Sequence, residues 1–252
     1  RFGSLEDYIK KLDEVETVVL CLGEVPATEK PGDIRSLHLD SKQLELAKMA
    51  YAKHKNVILV LVEGRPRIIR DIVDSAGAIV QCYLPGDYGA EALVELLSGE
   101  KNFSGKLPYT YPKYDGVIEF YDRSRSVDRS NVGDFAAFNP EWPFGFGLHY
   151  GEVRYEHLKS NEVLSENSPW EITIDVINQS NREIDEVVQL YVGDEFASVV
   201  PAGEQLKRFQ KVKIPAGQTK EVRFVLTKED LMFVNEAGEW VFEPGKFTRT
   251  NV

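Results

Sequence analysis

At 252 residues, with 42% hydrophobic and 28% charged side chains, the chain is long enough for two domains and too apolar to be dominated by disorder. The 30 Lys+Arg against 41 Asp+Glu leave a net charge of −11, which excludes the basic face that a nucleic-acid binder needs. No apolar run approaches the roughly 20 residues of a membrane-spanning helix, so neither nucleic acid nor membrane is expected as a partner. Cys21 and Cys82 are the two cysteines, which excludes a disulfide scaffold and a cysteine-built metal site. Both lie in apolar, strand-like runs and are expected to be buried free thiols.

The first 110 or so residues alternate helix and strand. Ser4 is placed to cap a helix with Asp7 three residues on, and Leu5, Tyr8, Ile9 and Leu12 recur at helical spacing. Thr17 to Leu22 (TVVLCL) is an unbroken apolar run, which predicts a strand covered on both faces. Asp40 followed by Gln43 resembles a capping box, opening a helix that buries Leu44, Ala47 and Tyr51. Val57 to Val62 predicts the second strand, and Ile68, Ile69, Ile72 and Val73 mark a short helix after it. Ala78 to Leu84 predicts the third strand; Ala90, Leu93, Val94 and Leu97 line the next helix, which Gly99 stops. This rhythm predicts an α/β fold, an open parallel sheet flanked by helices with right-handed crossovers.

From about Val153 the pattern changes. Trp170–Val176, Glu186–Val192, Leu206–Ile214 and Thr219–Leu226 read as strands, separated by turn signals such as Pro215-Ala216-Gly217 and Glu236-Ala237-Gly238. Short strands without helical period predict an antiparallel β-sandwich. Its aromatics Trp170, Tyr191, Phe209, Phe224, Phe233 and Trp240 fall at strand spacing and are expected to fill the core. The resulting layout is an α/β domain over 1–112, an irregular strap over 113–150 and a sandwich over 151–252. The strap is rich in aromatics (Tyr114, Phe120, Tyr121, Phe135, Phe138, Trp142, Phe144, Phe146). It is read as packing on the sheet domain, or in part as aromatic wall for a ligand cleft.

Ligands of open parallel sheets bind at the carboxyl ends of the strands. Three segments follow those ends: Gly23 to Asp40, Glu63-Gly64-Arg65-Pro66, and Pro85 to Gly89. The first is roughly seventeen residues long against about 2–6 for an ordinary βα connection. It is stiffened by Pro26 and Pro31 and carries the carboxylates Glu24, Glu29 and Asp33. A carboxylic acid on a loop that closes over a cleft suits proton donation to a leaving oxygen. Spacing alone equally allows solvated loop charges or caps for the next helix.

Other chemistries lack their motifs. No Gly-x-Ser-x-Gly, His-Glu-x-x-His or phosphate-cradling Gly-x-x-x-x-Gly-Lys-Ser/Thr occurs. His38, His54, His149 and His157 are scattered, with no metal-ligand spacing, and are expected to be structural surface residues. No cofactor or metal is expected. Arg1-Phe2-Gly3 is not an initiator methionine and no signal peptide is visible, so the compartment is left open.

Residues Gly23 to Asp33 (GEVPATEKPGD) resemble the acid/base loop of glycoside hydrolase family 3, the β-glucosidase and exo-β-glucanase family. The likeness continues in order along the chain. Leu39 to Leu44 (LDSKQL) is similar to the family's helix start, Glu63 to Pro66 to its Gly-Arg-Pro turn, and Leu84-Pro85-Gly86 to its Pro-Gly turn. Ser104 to Pro108 (SGKLP) and Pro143 to Tyr150 (PFGFGLHY) resemble two further family motifs. Lys207–Gly217 and Gly238–Gly245 resemble the fibronectin type III-like domain that ends many members, with Gly245–Val252 stopping short of its final strand and leaving an exposed edge.

The resemblance implies part of a retaining exo-β-glycosidase acting on terminal β-linked glucosides or related glycans, in a periplasmic or secreted setting. It assigns the general acid/base to Glu29 and support to Glu24, Asp33 and Arg65, that of Glu24 and Asp33 being loop anchoring and charge tuning. It places the nucleophile on a preceding (β/α)₈ barrel, so no residue of this chain is nominated, and the barrel region or chain is the implied partner. The chain alone is expected to be inactive. The alternative is a non-catalytic carbohydrate-binding or structural protein derived from such an enzyme.

Overall fold

A computed structural model describes residues 5–27, 29–54, 56–116, 120–122, 139–161 and 168–251. Ser4, Phe135 and Phe138 lie outside them. The described residues fall into two compact units, one drawn from 1–94, 111–118 and 139–141, the other from 95–110, 119–138 and 142–252.

In the first unit, helix α1 (Leu5–Leu12) precedes strand β1 (Val18–Gly23). Helix α2 (Ser41–Lys53) then leads to β2 (Val57–Val62), and α3 (Arg70–Val73) to β3 (Ala78–Tyr83), before α4 (Gly89–Leu97). The three strands are parallel in the order β1-β2-β3, with Leu20 opposite Leu59 and Leu59 opposite Ile79. Asp40 caps α2 by accepting from the Lys42 N–H at 3.0 Å, but Gln43 does not complete a capping box, because its side chain is engaged elsewhere. Only Arg70–Val73 of the apolar stretch after β2 is α-helical; Ile68 instead pairs with His38 in a parallel bridge, and Ile68, Ile69 and Ile72 are all buried.

Burial along β1 alternates, contrary to the expectation of cover on both faces. Val18, Leu20 and Leu22 are inside, while Val19 is 48% exposed and Cys21 lies at the surface. Cys82 is half-buried, so neither thiol is sealed in the core. Val19 and Cys21 share the outward parity of this edge strand, opposite the buried Val18, Leu20 and Leu22.

In the second unit, β4 (Val153–Ser160), β5 (Trp170–Asn178) and β8 (Thr219–Leu226) form one antiparallel sheet in the order β4-β5-β8. β6 (Ile184–Asp194) and β7 (Gln205–Ile214) form a second with β11 (Phe247–Asn251), in the order β11-β6-β7. The tail expected to leave an open edge thus supplies a strand of its own, pairing with β6. A two-residue hairpin, β9 (Phe233–Val234) and β10 (Trp240–Val241), completes the unit. Inward side chains from both sheets, among them Trp170, Ile172, Val176, Val188, Leu190, Ile214, Phe224 and Leu226, make the core. Phe209 and Trp240 are not part of it, each being 68% exposed. Phe209 stands on the outward parity of β7 with Lys211 and Lys213, opposite the buried Val212 and Ile214, and Trp240 sits in the short hairpin.

Candidate functional site

The long loop leaves β1 at Gly23, whose backbone can be nothing but glycine: φ is +153° and a Cβ would lie 1.9 Å from the Val62 carbonyl oxygen. Gln43, in the first turn of α2, grips that peptide from both sides. Its Oε1 accepts from Gly23 N–H and its Nε2 donates to Gly23 O, each at 2.8 Å. The side chain expected to finish a helix cap therefore fastens the start of the loop to the helix at its end.

Glu24 and Arg65, two of the residues expected to support the loop, meet in an ion pair. The guanidinium Nε donates to both Glu24 oxygens at 3.2 and 3.1 Å, Nη2 lies 3.0 Å from Oε2, and the Arg65 N–H adds a bond at 3.3 Å. Arg67, which sequence reading passed over, is the better-buried partner. Its side chain is 12% exposed, with Nη1 3.4 Å from Glu24 Oε2 and Nη2 donating to His38 O at 2.8 Å. Its place two residues beyond Arg65 in the Arg-Pro-Arg turn was the available signal.

Beneath this cluster lies Glu63, fully buried. Tyr111 Oη is 2.9 Å from its Oε1 and 2.7 Å from Arg67 O, while Arg67 N–H and Gln81 Nε2 approach Oε1 at 3.3 Å. Oε2 has no hydrogen-bond partner among the described residues. Burial pushes the carboxyl up from its ordinary range, and the nearby Glu24 charge adds to this against the pull of those hydrogen bonds.

At its far end the loop meets Asp115. Oδ1 accepts from Leu37 N–H at 3.0 Å, Oδ2 accepts from Ser36 Oγ at 3.0 Å, and His38 Nε2 lies 3.4 Å from Oδ2. The Leu37 N–H first, then Ser36, His38 and Arg67, hold this carboxyl below its ordinary range. No local pattern marks Asp115, because its partners lie 78 and 79 positions away.

Glu29 stands apart from this cluster. It is exposed, its side chain has no hydrogen bond or ion pair among the described residues, and its carbonyl accepts from Gly32 N–H at 2.9 Å, closing a 3₁₀ turn over Lys30–Gly32. Its backbone, at φ 57° and ψ −154°, occupies a region that is nearly reserved for glycine. Asp33 closes the same turn through its N–H to Lys30 O, while its carboxylate joins neither Glu24 nor Arg65. The site therefore consists of a bare carboxyl on a strained backbone, carried by a loop whose two roots are held by charge.

The strap divides. Tyr114 lies under the Arg70 guanidinium in the first unit; in the second, Phe144 packs tilted against Tyr121 and edge-on to Tyr191, while Trp142 and Phe146 stack nearly parallel. Of the histidines expected at the surface, His54 is partly buried with its Nε2 inside, and His149 is held in an ion pair. In the second unit its Nε2 lies 3.0 Å from Glu186 Oε2, with side chains 10% and 4% exposed. Among the described residues no group of three or more His, Cys, Asp or Glu side chains is arranged to hold a metal ion.

Comparison with known proteins divides the chain elsewhere. Residues 4–150 match the glycosyl hydrolase family 3 C-terminal domain, and residues 186–249 match the fibronectin type III-like domain. A lysosomal beta glucosidase of Dictyostelium discoideum is 30% identical over 97% of this chain and 30% of its own length. A putative beta-xylosidase of Formosa agariphila is 33% identical over 86% of this chain and 29% of its own. The crystal structure of a Listeria innocua beta-glucosidase in complex with glucose superposes with a TM-score of 0.90 at 30% identity, over 99% of this chain and 37% of that one. The chain thus spans about a third of the length of the relatives it matches.

Proposed function

The chain belongs to glycosyl hydrolase family 3, and on that premise we propose that it is the C-terminal portion of a retaining, exo-acting β-glycosidase that supplies the acid/base loop to a barrel carrying the attacking carboxylate. The substrate is a terminal β-linked glucoside or related glycan. Glu29 is the general acid/base: it protonates the glycosidic oxygen as the bond to the anomeric carbon breaks. It then takes a proton from the water that releases the glycosyl-enzyme. Glu24 and Arg65 anchor the loop, and Asp33 contributes negative charge beside it.

The observation that carries this reading is the backbone of Glu29. A non-glycine residue in that conformation costs about 1–3 kcal/mol, and residues so strained cluster at active sites and ligand clamps. The residue bearing the strain has an exposed carboxyl, at the carboxyl end of a parallel strand, where substrates of such sheets gather.

The test is the dependence on leaving group in the enzyme assembled from this chain and its barrel. For an alkyl glucoside, whose leaving oxygen needs a proton, Glu29→Gln lowers kcat/KM by about 10²–10⁴-fold, the usual worth of general acid catalysis. For a dinitrophenyl glucoside, which leaves unaided, the loss is small. Equal losses on both would remove the acid role. The chain by itself turns over neither substrate, and hydrolysis by the isolated chain would overturn the dependence on a barrel.

A further inference from the structure

The strain at Glu29 needs something to hold it. A residue does not stay in a glycine-like conformation on a free loop; the surroundings must over-determine it. Among the described residues, the turn from Glu29 to Asp33 supplies two backbone hydrogen bonds, both within the loop itself. The restraint therefore comes from the roots, and there the first unit is unusually well supplied. Gln43 ties Gly23 to α2. Arg67 then does what no neighbour does: one guanidinium touches the first side chain of the loop, Glu24, and the carbonyl of His38 near its end. Residues 24 and 38 are thereby joined through a single planar group. Asp115, arriving from a distant stretch of chain, fixes Ser36 and Leu37 just before that point.

We propose that Arg67 and Asp115 are positioning residues for Glu29, closing the 24–38 segment into a loop of fixed span so that its strained carboxyl is delivered at one place. The inference rests on the acid/base reading of Glu29. It concerns two residues that never approach the reacting atoms and act through the loop.

The chemistry of each partner suits the task. Arg67 is mostly shielded, so its charge-assisted bonds are little screened by water. Its fork can face a carboxylate and a carbonyl at once, which a lysine ammonium on its flexible stem cannot do with the same geometry. Asp115 is exposed, and an exposed ion pair alone would hold little. Its bonds to a backbone N–H and a hydroxyl, however, fix two successive residues of the loop. Displacing a catalytic group by about 1 Å can cost about 10²-fold in rate, so a clamp remote from the chemistry is a plausible target for a measurable effect.

Two measurements test this. Hydrogen exchange on the 252-residue chain reads the clamp directly. Asp115→Ala is expected to speed exchange about tenfold or more in peptides covering residues 30–38, the Leu37 amide included, while β1, β2 and β3 keep their protection. Because Asp115 is exposed, the fold survives this change, and unaltered exchange would overturn the clamp. The second measurement uses the assembled enzyme. Arg67→Met and Asp115→Ala are expected to lower kcat/KM on an alkyl glucoside by about tenfold to a hundredfold and to spare the dinitrophenyl glucoside. Arg67→Lys, which keeps the charge without the fork, falls between Met and the native residue.

A loss shared equally by both substrates would show a general structural role and overturn the inference. Glu29→Gln, run beside them, separates the two readings. If it discriminates between the substrates and the clamp variants do not, the positioning role alone fails. If Glu29→Gln itself does not discriminate, the acid role fails and the positioning role with it.

Discussion

Glu29 shows at the scale of one residue how strain and function oppose each other. Replacing it with glycine releases the about 1–3 kcal/mol held in its backbone, against about 0.5–1 kcal/mol lost to the greater freedom of glycine in the unfolded chain. Glu29→Gly is therefore expected to raise the urea midpoint of the isolated chain by the equivalent of about 1 kcal/mol, whereas Glu29→Ala keeps the strain and does not. A destabilised Glu29→Gly chain would mean that the conformation is unstrained. Glu63 makes the second case. Its folded pKa lies above the unfolded value, so its contribution to stability is fully present below the ordinary carboxylate range and is lost as pH rises through the folded pKa. Glu63→Gln removes the ionisation, and the variant should gain on the native chain as denaturation is repeated from pH 4 to pH 8. A constant difference across that range would show that Glu63 does not titrate between the two states. Neither effect is legible in the sequence. The loop and its carboxylates stand out by length and composition, but a φ angle does not, and nothing in Glu-Gly-Arg-Pro distinguishes a buried acid from an exposed one.

Strand β1 shows the same limit at the scale of an element. An alternating strand declares which side is wet; after Thr17 the run VVLCL is apolar at every position, so it marks the strand and leaves its cover unread. The folded strand resolves it by parity, Val18, Leu20 and Leu22 being buried while Val19 and Cys21 fall on the exposed side. The two thiols should consequently differ. Burial pushes the Cys82 thiol up, with the neighbouring Cys21 adding to the shift, so at neutral pH it offers less thiolate. Iodoacetamide applied to the native chain is expected to modify Cys21 several-fold faster than Cys82, with mass spectrometry of tryptic peptides reading the order. Equal rates, equalised further by denaturant, would mean that the open face of β1 is covered. The same logic explains Gln43. A glutamine three residues after an aspartate fits a helix cap, and only the strand end folded beside it, twenty positions away, shows the stronger use. Local pattern finds elements; partners chosen across a fold are invisible to it.

For the molecule as a whole, the matched domains and the packed units are cut at different places, and a buried charge cluster shows why that matters. Glu186 is the first residue of the fibronectin type III-like match. Its carboxylate meets Lys106 Nζ at 3.1 Å, His149 Nε2 at 3.0 Å and Tyr155 Oη at 3.0 Å. Lys106 and His149 belong to the span matched by the family 3 domain, yet they pack with the sandwich in one unit. Around them Gln189 Nε2 donates to Gly145 O at 3.0 Å, a glycine whose Cβ would strike Gln189, and Lys211 Nζ donates to Ser104 Oγ at 2.7 Å. The Glu186 carboxylate is nearly withdrawn from water, with Lys106 and His149 mostly so, and removing one partner strands the others. Glu186→Ala is expected to destabilise the second unit by about 3–5 kcal/mol, the usual consequence of leaving a buried charge uncompensated. Glu186→Gln, which keeps a carbonyl for Lys106 and Tyr155, should cost less. Proteolysis after mild heating locates the damage. Cleavage that spreads through both 142–150 and the strands of the sandwich indicates that this stretch and the sandwich melt together. Cleavage confined to 142–150, with β5, β6 and β8 still protected, would mean that the sandwich stands without the residues that precede it and that the cluster is a local fastening.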